Sequence, residues 1–210
     1  MIVCIDPGHN SPPYCDTGAQ WFGLQESDLV LDISKRIQKL ILGCGIGVVM
    51  TRTGDCVLGA DTTVESLKER VRIANDRKVD LFISVHSNAF DSVVKGAETH
   101  IFGFGGMAER FAKLVQPELA KIFINRGIKK SNFQVLRDTK MPAVLLEVGF
   151  IDNRDDNQKL SDPVIRQLIA VGVAKSVCTF FGVTYREVVP KTVNQEAIDL
   201  ISRALTLLKE

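Results

Sequence analysis

The chain has almost nothing with which to grip a nucleic acid. It carries 26 basic against 25 acidic side chains, for a net charge of +1, and no run of lysine or arginine. That leaves no positive track for a phosphate backbone and excludes nucleic-acid binding on electrostatic grounds. Long apolar runs are missing too. The longest uncharged stretch, from Leu40 to Thr51, contains three glycines and is shorter than the ~20 apolar residues that span a bilayer, so no transmembrane segment is expected. There is no C-x-x-C pair. The cysteines at 4, 15, 44, 56 and 178 are odd in number and scattered, which argues against a disulfide framework and a structural zinc site. The opening Met-Ile-Val-Cys-Ile-Asp lacks the basic region of a secretory signal, and the chain is expected to be made and folded in a reducing cytosol. What remains is a globular composition, with 45% hydrophobic and 24% charged residues over 210 positions. That length suits one main domain plus a short extension.

Short β-like runs alternate with helical ones. Residues 2–5, 46–50, 81–85, 97–102 and 143–148 read as strands. From 25 to 42 the apolar residues Leu29, Val30, Ile33, Ile37, Leu40 and Ile41 recur at helical spacing,. Thr62 or Thr63 is placed to cap a second helix with Val64, Leu67, Val71 and Ala74 on one face,. A third helix is expected over 107–124 with Pro117 as a break or kink, and a last one from Asp162-Pro163 to 181,. This pattern predicts an α/β fold: one twisted, mostly parallel sheet flanked by helices on both faces. Residues 1–183 would form the domain. Residues 184–210 would be a linker and an amphipathic C-terminal helix over 195–208, whose apolar face should dock or self-associate,.

Of the three histidines, His9 and His86 both follow strand carboxyl ends, where open α/β sheets bind ligands. Glu26 opens the first helix. It either complements the helix dipole or joins the two histidines in a catalytic zinc site, in which water completes the coordination. Glu147 lies inside the apolar run Ala143-Val-Leu-Leu-Glu-Val-Gly-Phe-Ile151. A carboxylate there is expensive to bury unless paired or protonated. Burial would shift it toward the range of a general base; the competing reading is a salt bridge to Arg137 or Arg52.

These residues belong to an ordered set: Asp6-Pro-Gly-His9, Asp16-Thr-Gly-Ala19, Glu26, Thr51-Arg52, Ser84-Val-His-Ser-Asn-Ala89, Gly96-Ala-Glu-Thr99, Val135-Leu-Arg137 and Met141 through Asn153. The set resembles the zinc-dependent N-acetylmuramoyl-L-alanine amidases of the Amidase_3 family, over roughly residues 1–183. The resemblance implies hydrolysis of the amide that joins the lactyl group of N-acetylmuramic acid to L-alanine in peptidoglycan. It implies Zn2+ on His9, Glu26 and His86, with Glu147 as the catalytic glutamate. Arg137, a candidate oxyanion donor, and Asn88 are the candidate substrate residues. One departure is the longer loop Asn10-Ser-Pro-Pro-Tyr-Cys15, expected to reshape one wall of the cleft.

Other roles are less specific. Glu98 would either orient a ligand histidine or form a salt bridge. His100 is expected to be an exposed or half-buried strand residue, Cys15 not to compete for zinc, and Trp21 with Phe22 to pack in the core by default, the alternative being a cleft-wall pair that stacks on sugar or peptide. Two other functions fit the same pattern: a zinc carboxypeptidase acting on stem peptides, and a non-catalytic wall-binding module. With no export signal expected, the protein would act on the wall after release or membrane permeabilisation, as a phage endolysin does.

Overall fold

A computed structural model describes residues 1–186 except 12, 15, 58 and 59. In chain order the elements are β1 (Ile2–Pro7), β2 (Gln20–Trp21), β3 (Leu24–Gln25), α1 (Glu26–Gly43), β4 (Gly47–Met50), α2 (Thr63–Asp76), β5 (Leu81–Asn88), β6 (Ala97–Ile101), α3 (Met107–Leu119), β7 (Asn125–Lys130), α4 (Gln134–Arg137), β8 (Ala143–Phe150), α5 (Arg154–Ser161) and α6 (Pro163–Phe181). Six strands form one sheet in the order β4-β1-β5-β8-β6-β7. All neighbours run parallel except β6 against β8. The linker and helix expected beyond residue 186 lie outside the described residues.

Alternation along the strands sorts side chains onto two faces. Val3, Ile5, Leu81, Ile83, Val85, Val144, Leu146 and Val148 point into the larger core, shared with α1, α3 and α6. Cys4, Phe82, Ala143 and Leu145 point to the other face, where α2 and the short α4 supply a much smaller apolar cluster. Further along the same strands, this second face carries Asp6, Ser84, His86 and Glu147. The thin helical cover therefore leaves a polar band at the strand ends.

α6 is, among the described helices, the one long and apolar enough to cross a membrane by length and composition. Half of that stretch is buried inside the fold, with Ile169, Ala170, Val173, Ala174 and Val177 in the larger core. Three local expectations need correction. Thr62 does cap α2 through a capping box with Glu65, but Val64 is exposed, and the buried face is Ser66, Arg70, Val71 and Ala74. α3 ends at Leu119 rather than at 124, because Pro117 cannot donate to the preceding turn and the helix closes soon after it. β7, Asn-Arg-Gly-Ile-Lys-Lys, carries no apolar alternation and was not expected; it is the edge strand beside β6.

At the end of β1, Asp6 is buried and accepts from Arg70 Nη1 (2.6 Å), Thr51 Oγ1 (2.6 Å) and Ser84 Oγ (2.7 Å). Burial alone would raise its pKa, but Arg70 and the two hydroxyls hold it below the usual 3.8. Asp6→Asn would leave the Arg70 guanidinium buried without its counter-charge, at a cost of ~3–5 kcal/mol at pH 7. A lowered folded pKa contributes stability above the unfolded value, and that contribution is lost as pH falls through the folded one. In urea unfolding, the gap between wild type and Asp6→Asn should hold at neutral pH and close as pH drops below the usual carboxylate range. A gap that stays constant down to acid unfolding would remove Asp6 as the anchor.

Candidate metal centre and catalytic cleft

His9 leaves β1 in a left-handed backbone conformation, with φ of 58°. Two buried arginines hold this segment by its carbonyls. Arg70 donates to the carbonyls of Pro7 and His9, and Arg52 to those of Pro7 and Gly8. Gly8 has no side chain because a Cβ there would collide with the His86 imidazole. Glu26 is placed by the first turn of α1 and fixed by backbone donors, Ala19 N to Oε2 (2.9 Å) and Ser87 N to Oε1 (3.1 Å). His86 comes from β5.

Three atoms meet. His9 Nε2 lies 3.0 Å from Glu26 Oε1 and 3.1 Å from His86 Nδ1, and His86 Nδ1 lies 3.3 Å from Glu26 Oε1. Ligands at the ~2.0–2.1 Å bond lengths of tetrahedral zinc stand about 3.3–3.4 Å apart, so the triangle has nearly the dimensions that such an ion requires. His9 Nδ1 donates to Asp16 Oδ1 at 2.8 Å, which turns the Nε2 lone pair toward the other two atoms. Burial pulls the His9 pKa down, but hydrogen bonds to Asp16 and Glu26 outweigh it and push it up to about 10. Burial would raise Glu26, yet the two histidines hold it well below the usual range. A buried carboxylate that favours a proton on the neighbouring His9 imidazole is a site prepared for a cation.

Glu147 pairs in register with His86 on one side and with Glu98 on the other, so all three side chains share the polar face. Its Oε2 is enclosed, and no described residue hydrogen-bonds to it. Burial first, then the charges of Glu26 and Glu98, push its pKa well above the usual value, while His9 and Lys129 pull the other way. Neither expected salt-bridge partner reaches it. Arg52 is spent on backbone carbonyls, and Arg137 is exposed and bonded to Asp138 and Asn132.

A cavity of about 460 Å³ opens over these groups, lined by His9, Glu26, His86, Asn88 and Glu147, with Phe133 on the far wall. Asn88 is therefore in the cleft, whereas Arg137 is not among its lining residues. Asn10 and Tyr14, from the longer loop after His9, do not line it either. Tyr14 faces a separate depression with Arg52 and Arg72. Trp21 and Phe22 are exposed and pack edge-on against each other rather than in the core. His100 is buried, held by Ser131 and Glu98. Glu98 forms ion pairs with Arg126 and Lys129 and touches neither His9 nor His86. Cys15 lies outside the described residues. Asp16 is the functional residue that sequence reasoning passed over, although its Asp-x-Gly-Ala motif was visible.

Comparison with known proteins agrees with this geometry. The family model described as N-acetylmuramoyl-L-alanine amidase (Amidase_3) matches residues 3–179. The chain is 36% identical to the N-acetylmuramoyl-L-alanine amidase CwlM of Bacillus licheniformis, over 87% of this chain and 69% of that protein. It is 35% identical to the amidase LytC of Bacillus subtilis (strain 168) over 85% of its own length, but spans only 35% of that longer protein. Among solved structures, the amidase AmiC2 of Nostoc punctiforme superposes with a TM-score of 0.77 at 29% identity, covering 87% of this chain and 97% of that one. The chain belongs to the N-acetylmuramoyl-L-alanine amidase family.

Proposed function

We propose that this chain hydrolyses the amide between the lactyl group of N-acetylmuramic acid and L-alanine in peptidoglycan, with zinc held by His9, Glu26 and His86. The observation that carries the reading is the enclosed, unpartnered Oε2 of Glu147 on the same sheet face as the His-Glu-His triangle. A buried carboxylate without a structural partner costs stability and is retained where its chemistry is needed. Bound zinc supplies Lewis-acid polarisation of the scissile carbonyl and activation of water at neutral pH.

The remaining work falls to the chain. Glu147 accepts the proton of the attacking water and passes it to the nitrogen of the departing L-alanine. Asp16 keeps the His9 ring in one tautomer and one orientation,. The backbone donors at Ala19 and Ser87 keep Glu26 from rotating away. Asn88 lines the cleft wall and would contact the substrate there.

Purified protein should carry one zinc per chain and release L-alanine amino termini from peptidoglycan. Glu147→Ala should lower turnover by ~10²–10⁴-fold while keeping its zinc. A variant that hydrolyses at the wild-type rate would sink the assignment of Glu147. Release of carboxy-terminal amino acids in place of L-alanine termini would make the protein a carboxypeptidase.

His9→Ala and His86→Ala should lose the metal outright. Asp16→Ala should retain it with affinity weakened by ~10–100-fold in chelator competition. Unchanged affinity in that variant would leave Asp16 as a loop residue only.

A further inference from the structure

A second, smaller cavity of about 250 Å³ adjoins the cleft at Asn88, which lines both. Its other walls are Phe90, Val94, Glu98, Arg126 and Phe150. Arg126 stacks over the Phe150 ring at 5.1 Å and donates Nε to Glu98 Oε2 at 2.7 Å. Its two Nη groups have no hydrogen-bond partner among the described residues. Glu98 also accepts from Lys129 Nζ, so one carboxylate faces two cations and the cluster keeps a net positive charge.

The opposite wall is fixed. Asp152 Oδ2 accepts from the backbone N–H groups of Phe90 and Ser92, and Asn153 Nδ2 donates to the carbonyls of Ser92 and Val93. These bonds hold Phe90 in place although its side chain is exposed. A pre-ordered pocket with apolar sides and one guanidinium whose Nη groups are uncommitted suits a carboxylate carried on an extended chain.

The sheet sets the distance. His86, Glu147, Glu98 and Arg126 lie on the successive strands β5, β8, β6 and β7. Three strand spacings come to about 14 Å, the span of roughly four extended residues. On the lactyl side of the scissile amide, the substrate continues into neutral N-acetylated sugars. On the amine side it continues into a peptide that bears free carboxylates.

We propose that Arg126, between Phe90 and Phe150, forms a subsite for a free carboxylate of the stem peptide on the leaving-amine side. This rests on the amidase reading of the adjoining cleft. Arg126 then sets which stem chemistries the enzyme accepts, because a stem whose carboxylates are amidated gives up a charge-assisted bond.

The test uses two soluble muramoyl tetrapeptides, identical except that one has its free carboxylates amidated. For wild-type enzyme, kcat/KM should favour the acid form by about 10- to 100-fold, the range of a hydrogen bond to a charged group. Arg126→Met keeps an apolar stem against Phe150 and leaves Glu98 paired with Lys129, so the fold should survive. In this variant the ratio between the two substrates should collapse toward unity. Arg126→Lys, which keeps the charge without the planar fork, should fall between.

Equal kcat/KM on both substrates in wild type would overturn the subsite alone. So would an Arg126→Met variant that slows both substrates equally and preserves the ratio, since that is the signature of a purely structural arginine. Wild-type enzyme that is zinc-loaded, folded and inert on both substrates would overturn the amidase reading, and the subsite with it.

Discussion

The buried pair between Asp6 and Arg70 is the constraint on which the site depends. It joins the end of β1 to the inward face of α2. From that fixed point Arg70 also reaches the carbonyls of Pro7 and His9, and Arg52 takes those of Pro7 and Gly8 from the other side. Buried carbonyls need donors, and a segment bent into a left-handed conformation at His9 has no neighbouring strand to provide them. Two guanidiniums so close together repel. Burial first, and then the charge of Arg70, bring the Arg52 pKa down to about 10, which still leaves it charged at neutral pH. The orientation of one imidazole is thus set by cations more than forty residues away in sequence.

The same constraint explains why the parts of the site were unequally visible in the sequence. Strand ends, a scarce residue type and an acid inside an apolar strand are local signals, and they pointed to His9, His86 and Glu147. Arg70 gave no such signal: its position falls on the same helical face as Leu67, Val71 and Ala74, but an arginine is expected in solvent by residue type, and only its buried carboxylate partner keeps it inward. Glu98 could not be resolved between two roles. The cations that decide the matter, Arg126 and Lys129, sit on β7, an edge strand whose polar sequence carries no strand pattern. Trp21 and Phe22 mislead for the opposite reason. They are apolar by type, but they occupy the tip of the two-residue β2–β3 hairpin, which is too short to turn them into the core.

The catalytic face owes its openness to unequal helical cover. α1, α3 and α6 seal one side of the sheet with the larger core, while α2 and the four-residue α4 cover only part of the other. His86 and Glu147 near the ends of β5 and β8, and His9 just beyond β1, are therefore neither sealed under a helix nor fully wet. This intermediate environment suits acid–base chemistry: dry enough to shift a carboxyl pKa and open enough to admit a substrate. A second long helix over that face would strengthen the core and close the site.

Glu147 shows what that arrangement costs. An enclosed carboxylate oxygen without a partner is unfavourable by about 1–3 kcal/mol, and two like charges, Glu26 from α1 and Glu98 on the neighbouring strand, add to it. Each neighbour has its own polar partners, Glu98 in Arg126 and Lys129 and Glu26 in the His9 imidazole, whose pKa it helps to raise. Only Glu147 is left without one. Substituting a cation nearby would relieve the strain and stabilise the fold. It would also lower the pKa of Glu147 and tie up the oxygen that must take a proton, so stability and catalysis are opposed at this position.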